Sequence, residues 1–527
     1  MPLTPLRCLH RALDLFGAKT GIVSGGQEFT YAQFGDRCER LAAGLTRLGV
    51  GSGDRVAYLS YNNHQLLEGY YGVIQARAIA MPLNVRLSRG ELAAILQHSG
   101  ARAVLFEDEF TPLVTELRNE CHVVERWISI GERVPCADLT YEELLAEGHP
   151  ERADIFAYDE MSIAELFYTS GSTGVPKGVM LSHRTLYLHA MCVALHYEDK
   201  DSAVDLHTIP LFHANGWGRP HASTMLGTLQ VIMRRFEPSH VFQLIQKHGA
   251  TDMSLVPTMA NALVHAPDRD RWNLSSMRRI TVGGAANSPQ LVERVEQTFP
   301  NAECFSGYGL TETSPLVTMA QNRRAAAKYG DQRAQRQAMT GAALEGVSLR
   351  VVDPEMRDVP RDLESMGEIV VLSDHVMDGY YRDPEATAAA MTGPWFHTGD
   401  MAAWDADGYV QILDRKKQII ISGGENISSI EVEAAIAAHP AVLECAVVAA
   451  PDAKWGEVPA AIVVLKPGAT LTEDELLQFL QRRLAKFKLP RIFEFSAEPL
   501  PKTGTGKIRK LDLRERFWAG REKRVQG

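Results

Sequence analysis

The feature that most limits the fold is an alternation of short apolar runs with helical stretches. Arg55-Val-Ala-Tyr-Leu-Ser60 reads as a strand, residues 65–80 as a helix, and Ala101 to Phe106 as another strand. Ahead of them, residues 28–50 read as a short strand and then a helix. On that helix Leu41, Ala42, Leu45 and Leu48 recur at helical spacing until Gly49 stops the run. From 162 the pattern resumes with a strand, a Gly-rich loop and a helix beginning after Ser182. Strands separated by helices return to one sheet side by side, so the pattern predicts α/β layers around a parallel sheet. The chain has 527 residues, which argues for roughly three units of ordinary size. Its 45% hydrophobic and 23% charged content is that of a chain able to bury large cores in water. No internal repeat of 20–50 residues competes with this reading.

Charge and cysteine usage exclude several classes. A net charge of −10, with no patch of interleaved basic and aromatic residues, argues against nucleic acid as a partner. The opening Met-Pro-Leu-Thr-Pro lacks a charged-then-apolar signal, and no apolar run reaches the roughly 18 residues that span a bilayer. Seven scattered cysteines show neither Cys-x-x-Cys nor zinc spacing. Reduced thiols and a cytoplasmic location are the expectation, with peripheral membrane contact and a homodimer both left open.

The densest chemistry lies in Tyr168-Thr-Ser-Gly-Ser-Thr-Gly-Val-Pro-Lys-Gly178. Gly171 and Gly174 let backbone N–H groups approach an anion, Thr169, Ser170, Ser172 and Thr173 add hydroxyl donors, and Lys177 adds a cation. Such a set suits polyphosphate oxygens. It is not a Walker loop: counted from Gly171, Pro176 stands at the required glycine and Gly178 at the required hydroxyl. A surface turn rich in Gly and Ser is the alternative that composition alone allows.

Five further motifs follow in order: Tyr308-Gly-Leu-Thr-Glu312, Trp395-Phe-His-Thr-Gly-Asp400, Asp414-Arg-Lys-Lys417, Ser422-Gly-Gly-Glu-Asn426 and Pro501-Lys-Thr-Gly-Thr-Gly-Lys507. Together with the loop they resemble the adenylate-forming superfamily of acyl-CoA synthetases, peptide-synthetase adenylation domains and luciferases. Phe29-Thr-Tyr31 before a helix extends the likeness more diffusely. The resemblance implies a large N-terminal adenylation domain over 1–413, a hinge at 414–417 with Lys417 at its pivot, and a small mobile α+β lid over 418–527. The lid reads β-α-β-β-α. Gln418 stands where many relatives carry an acid, a departure that touches hinge detail.

The resemblance also assigns roles. The 169–177 loop, with Thr169, Ser170, Gly171, Ser172, Thr173, Gly174 and Lys177, would hold the phosphates of ATP. Gly283, Gly284 and Ala285 would lie against the adenine ring and Tyr308 would stack on it, two strand ends facing one cleft. Gly283 and Gly284 also suit a plain strand-to-helix turn. Thr311 and Glu312 would serve phosphate and Mg²⁺, since a hard cation takes carboxylate oxygens. Asp400, a short acid after a turn, and Arg415 would take the ribose hydroxyls. Ser422, Gly423, Gly424 and Glu425 would flank the coenzyme A channel, although a capped helix start explains Asn426 and Ser428 equally. Lys507 is the implied catalytic cation on a Gly-rich loop.

Asp205 to Gly218 is richer in His and aromatic residues than a turn requires. His207 and His213, six apart, match no helix-borne zinc pair. The likeness places Phe212-His213 at a strand end and makes His213 a gate or wall of the acyl pocket, with Trp217 and Gly307 beside it; a packed aromatic corner is the other reading. Arg323 to Arg336 reads as a solvated helix or loop with no function.

The expected activity is ATP-dependent ligation of a carboxylic acid, fatty or short to medium aliphatic, to coenzyme A through an acyl-AMP. No Gly-x-Ser-x-Gly elbow or Cys/His pair competes with it. Two rivals are an adenylating enzyme that delivers its acyl group to a carrier protein or other acceptor, and a non-catalytic acyl-adenylate or nucleotide sensor.

Overall fold

The structure, a computed structural model, describes residues 1–169, 176–197, 200, 202–321, 332–416, 418–423, 425–452, 454–502 and 508–519, the side chain of Asn426 aside. By internal contacts the chain forms two compact units, residues 1–348 with 371–396, and residues 349–370 with 397–527.

Two mixed sheets build the first unit. One has nine strands in the spatial order Ala342–Ala343, Leu316–Met319, Glu303–Gly309, Arg279–Gly283, Asp252–Leu255, Val204–His207, Leu229–Ile232, Thr20–Ser24 and Gln27–Thr30. The other has eight, Gly379–Tyr380, Lys177–Ser182, Ile163–Thr169, Ile79–Pro82, Arg55–Leu59, Ala101–Glu107, Arg126–Ile130 and Leu139–Thr140. Neighbours in the middle of each run parallel and only the margins are antiparallel. That is the expected α/β architecture. Helices Tyr31–Arg47 and His64–Gln75 bury Phe34, Leu41, Tyr70 and Tyr71 in one core with Val56, Ile22 and Ile232, residues drawn from both sheets. The Phe29-Thr-Tyr31 signature marks a helix start: Thr30 Oγ1 accepts from Gln33 N at 3.2 Å while Gln33 Oε1 accepts from Thr30 N at 2.8 Å.

Four expectations need correction. The helix expected over 65–80 stops at Gln75; Arg77 turns the chain with φ of 61° and Ile79–Pro82 is a separate buried strand. The Gly-rich loop does not run from strand to helix. Ile163–Thr169 pairs antiparallel with Lys177–Ser182, so the loop is a hairpin tip and only then does helix His183–Leu195 begin. Ser182 caps that helix, accepting from Thr185 N at 3.3 Å. Phe212-His213 does not end a strand, because Val204–His207 stops at His207, whose Nε2 meets Gln230 Oε1 at 3.0 Å. Of Arg323 to Arg336, the described part is Gln332 followed by the helix Arg333–Ala338, in which Ala334 and Arg336 are buried, not solvated.

In the second unit, strand Val410–Arg415 pairs antiparallel with Trp395–Trp404. A separate five-stranded sheet orders Glu425–Ile427, Ile420–Ser422, Gly456–Leu465 and Val442–Asp452, with Ile492–Ser496 parallel to Gly456–Leu465. Helices Ser429–Ala437 and Glu473–Gln481 bury Val432, Ile436, Leu476 and Leu480 with Val447, Ala461 and Val463 on one face. Helix Lys510–Trp518 contributes Leu513 to the core that holds Val448, Ala460 and Ile462, the alternate residues of the same strands. The described part of residues 418–527 is therefore α+β, but richer than β-α-β-β-α: Glu425–Ile427 and Ile492–Ser496 are too short or too polar to announce themselves.

Candidate active site

The hairpin that carries the Gly-rich loop sets the first part of the site. Thr169 and Lys177 are register partners, so the loop leaves and rejoins the sheet at one point. Ser170, Gly171, Ser172, Thr173 and Gly174 lie outside the described residues. Lys177 extends over the ring of Tyr380, with Nζ 4.7 Å from the centroid, and the Tyr380 hydroxyl donates to Glu312 Oε1 at 2.9 Å. Tyr380 is placed by its own short strand, where Tyr380 faces Val179 across the ladder. A cation, a ring and a carboxylate thus stand together at the base of the loop. Pro176, Lys177, Tyr380 and Arg382 line a small cavity of about 190 Å³ there, with His98 and Asp383. A larger cleft of about 520 Å³, lined by His265, Arg269 and Trp272, contains none of the predicted residues.

Glu312 sits in the turn Thr311–Thr313, which is held from several sides. Its backbone carbonyl accepts from Met377 N at 2.7 Å, and Leu310 N donates to Thr313 Oγ1 at 2.9 Å. Below, His189 Nε2 accepts from Leu316 N at 3.1 Å; burial holds the imidazole well below its usual pKa, so it stays a neutral acceptor. His375 Nδ1 donates to the Thr313 carbonyl at 3.3 Å and packs 5.4 Å, centroid to centroid, from His189. The Glu312 side chain is half-buried, with one oxygen oriented by a hydroxyl. That is how a carboxylate ligand to a hard cation is ordinarily held, so the residues fit Mg²⁺.

The glycine positions are sterically required. Gly283 and Gly307 are partners on neighbouring parallel strands. A Cβ on Gly283 would stand 2.5 Å from the Gly307 carbonyl oxygen and 3.3 Å from the Trp217 ring, and one on Gly307 would meet Thr281 Cγ2 at 3.0 Å. Gly284, with φ of 76°, and exposed Ala285 make the turn beyond the strand, while Tyr308 is half-buried one residue past Gly307. The two strand ends therefore face one place, as expected. Trp217, proposed for the acyl pocket, closes against that same glycine and is only 8% exposed. Its backbone is unusual: Ala214, Asn215, Gly216, Trp217 and Gly218 all have positive φ. Each ordinary residue in that region costs about 1–2 kcal/mol, with Asn the cheapest. His213, half-buried, precedes the run in the extended region with φ of −103°.

In the second unit, Asp400 lies within strand Trp395–Trp404 and faces Arg415 across the ladder. Arg415 Nε bonds Asp400 Oδ1 at 2.6 Å; the carboxylate is buried and the guanidinium half-exposed. Asp400 is thus a mid-strand acid beside a register kink, with Gly399 at φ of 73° supplying the local bend that sequence took for a turn. Neighbouring Asp414, fully buried, accepts from Ser429 N at 2.6 Å at the start of helix Ser429–Ala437, while the Ser428 hydroxyl donates to the Leu413 carbonyl. Ser422 and Glu425 are register partners of a tight hairpin. Gly423, with φ of 60°, presses on Trp455, whose ring a Cβ would meet at 2.5 Å. Gly424, Lys417 and Lys507 lie outside the described residues. The loop that carries Lys507 is closed at its base by a bridge between Lys502 and Ile508 and by Arg509 N donating to the Pro501 carbonyl at 2.8 Å.

Sequence reasoning missed Tyr380, His189 and His375. Tyr380 follows Glu312 by 68 residues, and no local pattern links them. The only hint was Gly379-Tyr-Tyr381, an aromatic pair behind a glycine.

Comparison with known proteins follows the same outline. Residues 9–381 match the AMP-binding enzyme family and residues 431–507 its C-terminal domain. The chain is 40% identical over 524 residues to the long-chain-fatty-acid–CoA ligase of Thermus thermophilus, covering 97% of this chain and 94% of that one. It is 34% identical over 520 residues to 4-hydroxybutyrate–CoA ligase 2 of Metallosphaera sedula, covering 97% and 94%. Among solved structures, ATP-bound MatB from Rhodopseudomonas palustris matches with a TM-score of 0.86 at 28% identity, over 98% of this chain and 99% of that one. A family match across the loop, the Glu312 turn and Tyr380, with relatives aligned nearly end to end, establishes that the chain belongs to the AMP-binding enzyme family.

Proposed function

We propose that this enzyme is an ATP-dependent acyl-CoA ligase acting on an aliphatic carboxylic acid. A carboxylate oxygen attacks the α-phosphorus of ATP, the bond to the bridging oxygen breaks, and acyl-AMP and pyrophosphate form. The coenzyme A thiolate then attacks the acyl carbonyl, and AMP leaves with the electron pair of the broken C–O bond. The observation that carries this reading is the cluster of Lys177, Tyr380 and Glu312 at the base of the Gly-rich hairpin.

In this reading Lys177 and the loop hydroxyls neutralise the β- and γ-phosphates, and Thr311 donates to phosphate. Glu312 would hold Mg²⁺, which supplies charge neutralisation on the phosphates. Gly283, Gly284 and Ala285 lie along the adenine face with Tyr308 stacked on it. Asp400 accepts from the ribose hydroxyls, and Arg415, which bonds that carboxylate, donates to the same sugar. Lys507 offsets the charge that develops as carboxylate meets α-phosphate. His213, Trp217 and Gly307 bound the acyl chain, and the Ser422–Glu425 hairpin flanks the pantetheine path. Lys507 and that hairpin serve different steps, so the lid rotates about Lys417 between them. An aliphatic acid is favoured because the relatives named above are ligases of long-chain fatty acids and of 4-hydroxybutyrate.

A panel of saturated, hydroxylated and aromatic acids, assayed for AMP formation with coenzyme A, tests the proposal. The expected result is AMP release matched by thioester and greatest with an aliphatic acid. Acid-dependent pyrophosphate exchange without coenzyme A consumption would favour transfer to another acceptor. No AMP with any acid would favour a sensor.

Among the described residues no helix is long and apolar enough to cross a membrane.

A further inference from the structure

Five consecutive residues, Ala214 to Gly218, take φ values of 45°, 51°, 51°, 64° and 72°. Such a run persists only where its surroundings over-determine it. Gly216 N donates to the Leu211 carbonyl at 3.3 Å and Gly218 N to the Asn215 carbonyl at 2.8 Å, which closes the turn but ties it to nothing beyond itself. The tie is Asn215. Its Nδ2 lies 3.2 and 3.3 Å from the two carboxylate oxygens of Glu165. Glu165 is wholly buried in strand Ile163–Thr169. Its other partner is His221, whose Nε2 donates to Oε1 at 2.9 Å while Nδ1 accepts from the Tyr71 hydroxyl at 3.1 Å. The edges of Tyr70 and Tyr71 fix the same imidazole at 5.9 and 5.3 Å between centroids. One buried carboxylate thus receives donors from the strained turn, through Asn215, and from the helix Arg219–Leu226 that follows it, through His221. Two residues after Asn215, the Trp217 ring lies against Gly283.

We infer that Glu165 is a positioning residue for acyl-chain selection: its carboxylate anchors the left-handed turn and so sets how far Trp217 closes the pocket. The inference rests on the reading of Trp217 as a wall of that pocket. Glu165 itself touches no substrate. It precedes Thr169 by four residues on the strand that enters the Gly-rich loop, so one rigid strand joins the acyl wall to the phosphate site.

The test exploits the polarity of the contact. In Glu165→Gln a neutral amide replaces the carboxylate, so the charge-assisted bond from Asn215 becomes at best a neutral amide pair, and the anchor weakens. Exchanging both partners, Glu165→Gln with Asn215→Asp, keeps the net charge and reverses the bond, since the introduced amide can donate to the new carboxylate and still accept from His221. Asp tolerates the left-handed conformation as Asn does. Asn215→Gly keeps the backbone freedom and removes only the tie, and it serves if Glu165→Gln does not fold. Two readouts are taken: the ratio of kcat/KM between a short and a longer saturated acid, and hydrogen exchange of the segment 211–220 measured by mass spectrometry.

Glu165→Gln and Asn215→Gly are expected to change the ratio by about tenfold or more, the worth of a methylene in a fitted pocket. Both should speed exchange in 211–220, and the double exchange should restore both quantities. Folded single variants with the parental ratio and exchange would overturn the inference, as would a double variant that restores neither. Trp217→Ala separates the two readings. If it leaves the chain-length profile unchanged, the pocket assignment fails and with it the selectivity role of Glu165, whereas the exchange measurement still decides the anchor.

Discussion

Replacing Tyr380 by Phe removes one oxygen from the candidate active site and nothing else. The ring stays under Lys177, whose Nζ lies 4.7 Å from its centroid, so the cation–π contact survives. What goes is the hydroxyl that donates to Glu312 Oε1 at 2.9 Å. A hydrogen bond to a charged, partly buried group is worth about 1.5–3 kcal/mol. At about 1.4 kcal/mol per factor of ten, the orientation of Glu312 is weakened by about 10- to 100-fold. The same range is typical when an outer partner of a metal ligand is lost, about 10–100-fold in affinity. Acid-dependent exchange of pyrophosphate into ATP, titrated with Mg²⁺ from micromolar to large excess, reads this directly. The half-saturating Mg²⁺ concentration should rise by about tenfold or more, and the rate should recover at excess. A folded Tyr380→Phe enzyme with the parental Mg²⁺ dependence would refute the role of Tyr380. A rate loss that no excess of Mg²⁺ restores would instead refute Glu312 as the metal's ligand.

Three other outcomes are expected. Lys507→Ala should abolish acid-dependent pyrophosphate exchange yet still convert supplied acyl-AMP and coenzyme A to thioester; equal loss in both half-reactions contradicts its assignment. Arg219→Met strands the buried Asp205 carboxylate, which Arg219 bonds through Nη2 at 2.7 Å, so urea unfolding should show a loss of about 3–5 kcal/mol at unchanged m. Stability should also fall as the medium is acidified below about 6.5, because burial holds His64 and His183 down at about 4. The unfolded chain takes up those protons and the folded chain refuses them, at about 2 kcal/mol each by pH 5. Urea midpoints between pH 7.5 and 5 check this, and a flat profile would rule it out.

The parts of the fold that were legible in sequence are those with local causes. Apolar runs marked the strands at 55–59 and 101–107, and the helix expected after Ser182 begins at His183. Gly283 and Gly307 were singled out by their motifs alone; that a Cβ on Gly283 would meet the Gly307 carbonyl and the Trp217 ring is a contact between segments distant in sequence. The overrun at 65–80 came from Ala76 and Ala78, which suit a helix equally well; Arg77 at positive φ is a tertiary compromise with no signature of its own. Lys177 was placed on a loop because Pro176 and the glycines dominate that stretch, although Gly178 to Leu181 pairs as a strand. Glu165 was unreadable for a different reason. In Ala164-Glu-Leu-Phe167 a lone acid looks like the outward position of an alternating strand, and its partners lie 50 and 56 residues away.

The hairpin origin of the Gly-rich loop carries one more consequence. Helix His183–Leu195 has its first donors already spoken for: His183 N bonds the Ser162 carbonyl at 3.1 Å, Arg184 N the Glu160 carbonyl at 2.8 Å, and Thr185 N the Ser182 hydroxyl. These three donors of helix His183–Leu195 are not left to cradle a phosphate, in contrast to a Walker site. Thr169 and Lys177 form one register pair, so a change of length between them is closed by the same two strand ends, and loop length costs little entropy. On the proposed reading the phosphate contacts are therefore a cassette, and directed variation there leaves the strand pairs from Ile163 to Ser182 to the hydrophobic core behind them.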